Sequence, residues 1–397
     1  IKNNRKPNPA WKFDFQLSIK LKSRFFDEMR WMNMQTVIGT SSNRDPVAAV
    51  KEATANITTP KLLIVISAYE MLKPASELIS KQFHGVPCIG SSSISYYESE
   101  SSDQRLIIIA FGSDAAVQTG VIRYLSSCPI YDIKPLEDGI RKIAPGQDNT
   151  VCIEFCTNDE ERLVTTMNVA LETAKIPLVG GTVYGYPADA TAYVMVDGVL
   201  YPDACCYALI RNTTGKIRTY SENIYGAACD AKRHIATKVD LKNKELLCLD
   251  GRPAADVYCD ELGLSRDRIV DNVLKNPLGR VVGDEVFISS MYKLSSNGSL
   301  TLYKRINEND TISILSLLDY KEINHKTLSR IKSENSHCSF VFSVNCIYRH
   351  LLFTNENYLG TFLKDMRTIA PHVGVVGGGE QYRKQHVNQT MVCAVFE

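Results

Sequence analysis

Apolar positions along the chain repeat one pattern three times: a short apolar run, an amphipathic stretch, and a second apolar run ending in small residues. The first runs are KLLIVISA (61–68), TVCIEFC (150–156) and SFVFSVN (339–345). The second runs are VPCIGSSS (86–93), IPLVGGTV (176–183) and HVGVVGGGE (372–380). Runs of this length are typical of buried strands, and helices are predicted between them over 73–83, 159–174 and 356–367. A strand–helix–strand connection of this length favours parallel pairing with a right-handed crossover.

Further apolar runs beside the three copies predict additional strands. Runs at 105–111 and 116–123 follow the first copy, and TMVCAVFE (390–397) completes the third. After the second copy, AYVMVDGVL and CCYALIR form a predicted hairpin with Asp197-Gly198 as its turn. Before the first copy, TVIGTSS (36–42) precedes a helix with Asp45 as N-cap and Pro46 at its first position. The predicted fold class is α/β to α+β, with repeated β-α-β units, antiparallel hairpins and mixed sheets in two lobes.

Residues 213–250 are predicted to join the two lobes, because they are richer in short polar elements. The second lobe begins with LDGRPAADVYCDELG (249–263), a predicted helix with Pro253 near its start and Gly263 just past its end. Strand-like runs at 277–291 and 298–306 follow. The predicted domains therefore span 34–225 and 226–397.

Residues 1–33 differ from the rest of the chain. They hold eight Lys/Arg and three Asp/Glu, and they show no clean helical or strand period. A basic tail that contacts an acidic partner is one interpretation. The preferred interpretation is sequence with no fold of its own, such as sequence from an upstream reading frame.

Composition narrows the function classes. The 397 residues have a formal net charge of +1, which gives no reason to expect a nucleic-acid partner. No apolar run approaches the 18 residues of a membrane span. The twelve cysteines are scattered, as in a cytoplasmic protein with reduced thiols. Nucleotide-binding glycine motifs, HExxH and GxSxG are all missing, so these classes of site are not predicted.

The glycine and serine turns that end the second runs are candidate ligand sites. Ligands of open α/β sheets bind beyond the carboxyl ends of strands, where small residues expose backbone N–H groups. The alternative is that these turns need glycine for close packing. The candidate residues are Ser91, Ser92, Gly181, Thr182, Gly378 and Gly379.

Arg349, Glu380 and Asn388 suggest recognition of a charged ligand. Arginine offers a planar fork for a carboxylate, and Glu380 could accept an ammonium group. The pair would suit a zwitterion such as an amino acid, unless the two side chains bridge each other. Glu154 is a further exception, because a charge within an apolar run needs a partner or exposure.

Histidines and cysteines leave two other possibilities. A single axial haem ligand cannot be recognised by spacing, and His350, His372 and His386 all flank the third copy. Cys346 and His350 could form a nucleophile and base. The predicted extended chain around them separates i and i+4 by about 13 Å, which argues against a cysteine-dependent enzyme.

Taken in order, several blocks resemble the FIST family (F-box and intracellular signal transduction). VIGTSSNRDPVAAVKEA (37–53), KLLIVISA and VPCIGSSS resemble its N-terminal half. LDGRPAADVYCDELG, EVFISSM, CIYR (346–349), Gly379-Glu380 and HVNQT (386–390) resemble its C-terminal half. The resemblance covers roughly 35–397.

This resemblance implies a bacterial, cytoplasmic sensory module without enzymatic activity, for small ligands such as amino acids. Implied partners are a chemotaxis transducer, a histidine kinase of a two-component system, or a diguanylate cyclase. One family branch implies haem and nitric oxide sensing with a partner kinase. The matching motif residues are Arg349, Glu380, His386 and Thr390, and Tyr348 stands where the family motif has glycine.

Overall fold

Three equivalent repeats build the main body of the protein. The computed structural model describes residues 34–228, 230–283 and 285–397, so the predicted tail over 1–33 lies outside the described residues. The first repeat consists of β1 (Thr36–Ser41), α1 (Pro46–Thr54), β2 (Leu62–Ser67), α2 (Tyr69–Gln82), β3 (Cys88–Ser92), β4 (Ser95–Tyr97), β5 (Glu100–Ser102) and β6 (Leu106–Phe111). The second consists of β7 (Ala115–Arg123), α3 (Ile133–Ile143), β8 (Thr150–Cys156), α4 (Glu160–Leu171), β9 (Leu178–Thr182), β10 (Val194–Val196), β11 (Val199–Tyr201) and β12 (Ala204–Asn212).

The third repeat is interrupted by an inserted lobe. After β13 (Ile217–Asn223), the lobe contains β14 (Tyr225–Gly226), β15 (His234–Asp240), β16 (Glu245–Leu249), β17 (Arg252–Pro253), α5 (Ala254–Leu262), α6 (Ile269–Asn272), β18 (Leu278–Val282), β19 (Glu285–Ser289), β20 (Met291–Leu294), β21 (Leu300–Leu302), β22 (Thr311–Ile314) and β23 (Ser316–Leu317). The repeat resumes with α7 (Tyr320–Glu334), β24 (Phe340–Cys346), α8 (Ile347–Asn355), α9 (Leu359–Arg367), β25 (His372–Gly377), β26 (Glu380–Tyr382), β27 (Gln385–Val387) and β28 (Thr390–Phe396).

Each repeat donates a hairpin to another repeat's sheet. The three six-stranded sheets run β1-β6-β2-β3-β10-β11, β7-β12-β8-β9-β26-β27 and β13-β28-β24-β25-β4-β5. In each sheet the central pair is parallel, and every other pairing is antiparallel. The hairpins β10-β11, β26-β27 and β4-β5 therefore exchange in a cycle, which ties the three repeats into one body.

Strand alternation explains where the cores lie. On β2, β8 and β24, one set of alternate side chains meets in a single central core that all three sheets share, for example Ile64, Ile153 and Phe342. The other set faces each sheet's own helices, for example Val65 under α1 and α2. Successive side chains of a strand point to opposite faces, so near-continuous apolar runs are what such doubly covered strands need.

The inserted lobe has its own sheet and core. Its main sheet follows the order β19-β18-β22-β15-β16-β21-β20, with β17 beside β16. Its core includes Leu278 and Ile312 from the sheet and Tyr258 from α5. Gly263 ends α5 in the left-handed conformation (φ 65°), as predicted. Among the described residues, no helix is long and apolar enough to cross a membrane.

The predicted fold class is confirmed, as are the three parallel pairs and the cap of α1, where Asp45 accepts a hydrogen bond from the Ala48 N–H. Three local predictions were wrong. Asp197-Gly198 turns β10 into β11, whereas β12 joins a different sheet. The chain after Cys346 is helical, not extended. Residues 213–250 include β13, a strand of the main body, so they are more than a connection between lobes.

Candidate functional site

Five elements of the third repeat meet beyond the carboxyl end of β24. They bring together Glu222 from β13, Cys346 from β24, Arg349 from α8, Glu380 from β26 and Thr390 from β28. These five residues are called the Arg349 site below. All of them are buried, although they come from segments far apart in sequence. Their position matches the end of a parallel strand pair, where α/β proteins commonly bind ligands.

Arg349 forms a buried ion pair with Glu222, 127 positions away. Both side chains are 0% exposed. The guanidinium carbon lies 4.5 Å from the ring centre of Phe353 and 5.3 Å from that of Phe362. Nε and Nη1 of Arg349 and Oε2 of Glu222 have no protein hydrogen-bond partner among the described residues. The site therefore holds buried donors and acceptors that the described chain leaves unfilled.

Glu380 is hydrogen-bonded on one side only. Its Oε2 accepts bonds from the Thr390 hydroxyl (2.7 Å) and the Thr390 N–H (3.2 Å), while Oε1 has no partner among the described residues. Burial raises the pKa of Glu380 to about 8, against the lowering effects of Thr390 and of the Arg349 charge. Arg349 binds Glu222, so the bridge between Arg349 and Glu380 that the sequence left open is not formed.

Cys346 and His350 do not form a nucleophile–base pair. His350 Nδ1 lies 2.8 Å from the Tyr96 hydroxyl, on the hairpin that the first repeat donates. Burial raises the pKa of the Cys346 thiol well above its usual value, so the thiol stays protonated. The predicted extended geometry was wrong, and His350 bonds to Tyr96 instead of Cys346.

His386 and Asn388 pack beside Gly379 in the hairpin of the third repeat. His386 Nδ1 lies 3.1 Å from the Gln381 amide nitrogen, and its Nε2 lies 3.3 Å from the Asn388 amide nitrogen. Burial lowers the pKa of His386, so the ring is neutral. A side chain on Gly379 would collide with His386, which explains the glycine without reference to a ligand.

The predicted glycine and serine turns come together where the repeats exchange hairpins. The Gly378 N–H donates to the Thr182 carbonyl at 3.0 Å, and the Ser92 hydroxyl lies 3.5 Å from the Tyr184 carbonyl. A Cβ on Gly181 would lie 2.5 Å from Val344 Cγ1. Ser91 is buried and donates its hydroxyl to the Ser92 carbonyl. The closeness of these turns explains their small residues by backbone packing.

The inserted lobe forms hydrogen bonds with residues next to the Arg349 site. Gln389, next to Thr390, accepts a bond from the Ser290 hydroxyl at 2.7 Å and donates to the Tyr225 hydroxyl at 3.0 Å. The Tyr348 hydroxyl donates to the Met291 carbonyl at 3.1 Å. Tyr348 therefore reaches into the lobe, next to Arg349.

Ion pairs also join the inserted lobe to the second repeat, and they were not predicted from the sequence. Lys244 of the lobe lies 3.0 Å from Glu160, and Arg305 lies 3.3 Å from Glu161 and 3.5 Å from Asp159. Each bond joins residues 84 or more positions apart. The acidic residues lie at the start of α4, where a negative charge interacts favourably with the helix dipole. This local effect explains their position in the sequence without reference to the lobe.

The three histidines predicted as haem ligands occupy different environments. Both nitrogens of His386 have protein partners, as described above. His372 Nε2 lies 2.8 Å from the Ser343 hydroxyl, and its Nδ1 has no partner among the described residues. His372 lines a cavity of about 320 Å³, while a cavity of about 600 Å³ in the second repeat has no histidine in its lining. Of His372 and His386, only His372 therefore combines a ring nitrogen without a partner among the described residues with a place in a cavity lining.

Comparison with known families adds to this picture. The family model of the FIST N domain matches residues 61–252, and that of the FIST C domain matches 254–383. The boundary between the two matches falls inside the inserted lobe, directly before α5. A search of curated proteins found no match. Within the described residues, no group of three or more His, Cys, Asp or Glu could hold a metal ion.

Proposed function

Because the chain belongs to the FIST family, whose domains are sensory domains of signal transduction, we propose that it binds a small zwitterion at the Arg349 site. An amino acid is the proposed ligand class. The inserted lobe would pass the signal to an output partner such as a chemotaxis transducer, a histidine kinase or a diguanylate cyclase, in the cytoplasm.

The unfilled hydrogen-bonding groups of the Arg349 site carry this proposal. Among the described residues, two nitrogen donors of Arg349 and one carboxyl oxygen each of Glu222 and Glu380 have no hydrogen-bond partner. Buried polar atoms without partners are unfavourable, by about 1–3 kcal/mol each. An α-carboxylate would satisfy the guanidinium. An α-ammonium would donate hydrogen bonds to these oxygens of Glu222 and Glu380, and its positive charge would favour the ionised form of Glu380. A ligand with one charge of each sign fills both deficits without adding net charge to a buried site.

The lobe contact provides a route for the signal. Ser290, Met291 and Tyr225 of the lobe bond to residues adjacent to the site, and ion pairs hold the lobe further out. Bringing a ligand to this buried position requires the lobe to move. A ligand that binds one lobe position better than the other shifts the population of the two positions.

Calorimetric titration with the twenty amino acids tests the proposal. Arg349→Lys keeps the charge but loses the planar fork, and Glu380→Gln keeps the shape but loses the carboxylate. Each variant is expected to weaken the amino acid that binds by at least about tenfold, since one charge-assisted pair is lost. Glu154→Gln is the matched control, because Glu154 is an equally buried carboxyl with a similarly raised pKa in the second repeat.

Two results would contradict the proposal. One is that no amino acid binds to protein whose fold is intact by circular dichroism. The other is that the Arg349 and Glu380 variants bind as the control does. An absorption spectrum after haem is added tests the gas-sensing alternative separately, and a sharp Soret band lost in His372→Ala would favour that alternative.

A further inference from the structure

Three equivalent cavities lie at the opposite ends of the parallel strand pairs. In each repeat a proline directly before the second strand accepts a backbone bond from the first strand: Pro87 from Leu63, Pro177 from Cys152 and Pro371 from Val341. The tip of the incoming hairpin packs beside that proline. Because the three cavities share this backbone geometry, differences in their charge and size come from their side chains.

The hairpin-tip residues are Glu98, Asp197 and Arg383, all with φ near +50°. Asp197 accepts a bond from the Cys88 N–H at 2.8 Å, and Glu98 forms an ion pair with Arg367. Arg383 stacks on Tyr382, with its guanidinium carbon 5.3 Å from the ring centre, and has no carboxylate partner among the described residues. The hairpin tip at the second-repeat cavity is therefore positively charged, whereas the other two tips are negatively charged. Its charge has no ion-pair partner among the described residues.

The second-repeat cavity is also about twice as large. Its volume is about 600 Å³, against about 300 Å³ in the first repeat and about 320 Å³ in the third. Its charged lining residues are Asp148, Glu172, Lys175, Arg218, Arg330, Glu334, Arg383 and Lys384. Glu172 pairs with Lys384 and Glu334 with Arg330, so the acidic groups other than Asp148 are neutralised.

Lys175 strengthens the contrast between the repeats. It has φ +54°, and Gly85 occupies the same position of the first repeat with φ +80°. Glycine adopts this conformation readily, whereas a residue with a Cβ is strained there. Lys175 therefore adds a positive charge to the cavity wall at a position where glycine would adopt the backbone conformation with less strain.

We propose that this cavity binds a small organic dianion, with phosphate or carboxylate groups, between Arg383 and Lys175. Arginine forms bidentate bonds with either group, and lysine adds a point charge. Asp148 offers an acceptor for a hydroxyl group of the same molecule. The site lies apart from the Arg349 site and does not depend on the function proposed for it.

Calorimetric titration with inorganic pyrophosphate and with succinate tests the proposal and separates the two anion types. Arg383→Gln is expected to weaken the binding anion by at least about tenfold. Lys175→Gly is expected to weaken it several-fold while keeping or raising thermal stability, because glycine relieves the strained φ. Arg367→Gln, in the equivalent third-repeat cavity, is the matched control and should bind as wild type.

The proposal is wrong if neither anion binds, or if Arg383→Gln and Lys175→Gly bind as wild type. Equal weakening by Arg367→Gln would also overturn it, since that result means general charge attraction. Glu380→Gln should leave anion binding unchanged, so failure here is distinguishable from failure of the amino-acid site.

Discussion

The first and third repeats share a backbone plan but fill the space between sheet and helices differently. Register places Met71 of the first repeat where the third has Arg349, and Ser41 where the third has Glu222. Val65 likewise corresponds to Ser343. In the first repeat, an apolar cluster fills the space between the sheet and its helices. In the third repeat, the same space encloses an ion pair and several polar side chains.

What the repeats share is therefore structural, and what differs is the better guide to function. Gly90, Gly180 and Gly374 take the same position in all three repeats, each opposite a larger side chain of the neighbouring parallel strand. A Cβ on Gly90 would lie 2.6 Å from the Val65 carbonyl, so the glycine is needed for packing. Arg349 has no such structural requirement, because the first repeat folds with methionine there.

The largest expected effect comes from giving the third repeat the first repeat's residue. Arg349→Met leaves Glu222 buried without its partner, so we expect a loss of about 3–5 kcal/mol in the free energy of unfolding. Urea unfolding followed by circular dichroism measures this. The double variant Glu222→Ser with Arg349→Met carries the residue types of the first repeat at both positions and should regain most of the lost stability. A double variant as unstable as the single one would show that the residues of the first repeat cannot replace those of the third.

The second repeat offers a test through pH. Burial raises the pKa of Glu154 to about 8, while the Cys205 thiol, 3.4 Å away, lowers it less. The native state then holds a proton that the unfolded state releases near pH 4.5, so stability falls as pH rises from about 4.5 to 8. Between these pH values the free energy of unfolding should decrease by up to about 1.4 kcal/mol per pH unit because of Glu154. Glu154→Gln should remove this contribution. Urea midpoints at pH 5 and pH 8 measure it, and parallel pH dependence in the variant would contradict it.

The crowded turns predict a difference between two neighbouring glycines. Gly181→Ala places a Cβ 2.5 Å from Val344 Cγ1, and such overpacking costs about 1–3 kcal/mol. Gly378→Ala meets its nearest atom, Thr182 Cβ, at 3.6 Å and should change stability by less than about 0.5 kcal/mol. Thermal unfolding of both variants compares them. Equal losses would mean that the turns need glycine for another reason than space.

The smallest expected effect concerns the lobe, the part of the third repeat that has no counterpart in the first. His234 lies 2.6 Å from Asp250 and 2.7 Å from Glu261. Burial alone would lower the pKa of His234, but the two carboxylates outweigh it and raise the pKa. This stabilisation is complete below pH 6.5 and is lost as pH rises through the raised pKa. His234→Gln should remove that pH dependence, measured by hydrogen exchange of the lobe, and an unchanged profile would contradict it.

Local features of the chain could be predicted well. The strands β2, β8 and β24, their parallel partners and the caps at Asp45 and Gly263 follow from apolar runs and from turn residues. The helix α8 was missed because CIYRHLLF is as apolar as the strand before it, and short apolar runs do not distinguish strand from helix. Arg349 and Glu380 were singled out from the sequence, but the partner of Arg349 was not.

The sequence by itself determined the three repeated units and the residue types at their ends, because side-chain periodicity and turn chemistry act between near neighbours. Only the tertiary structure decided which sheet each hairpin joins, where the inserted lobe interrupts the third repeat, and that Glu222 meets Arg349. These contacts join residues more than a hundred positions apart. No local pattern encodes them, since they arise from how complete sheets and helices pack together.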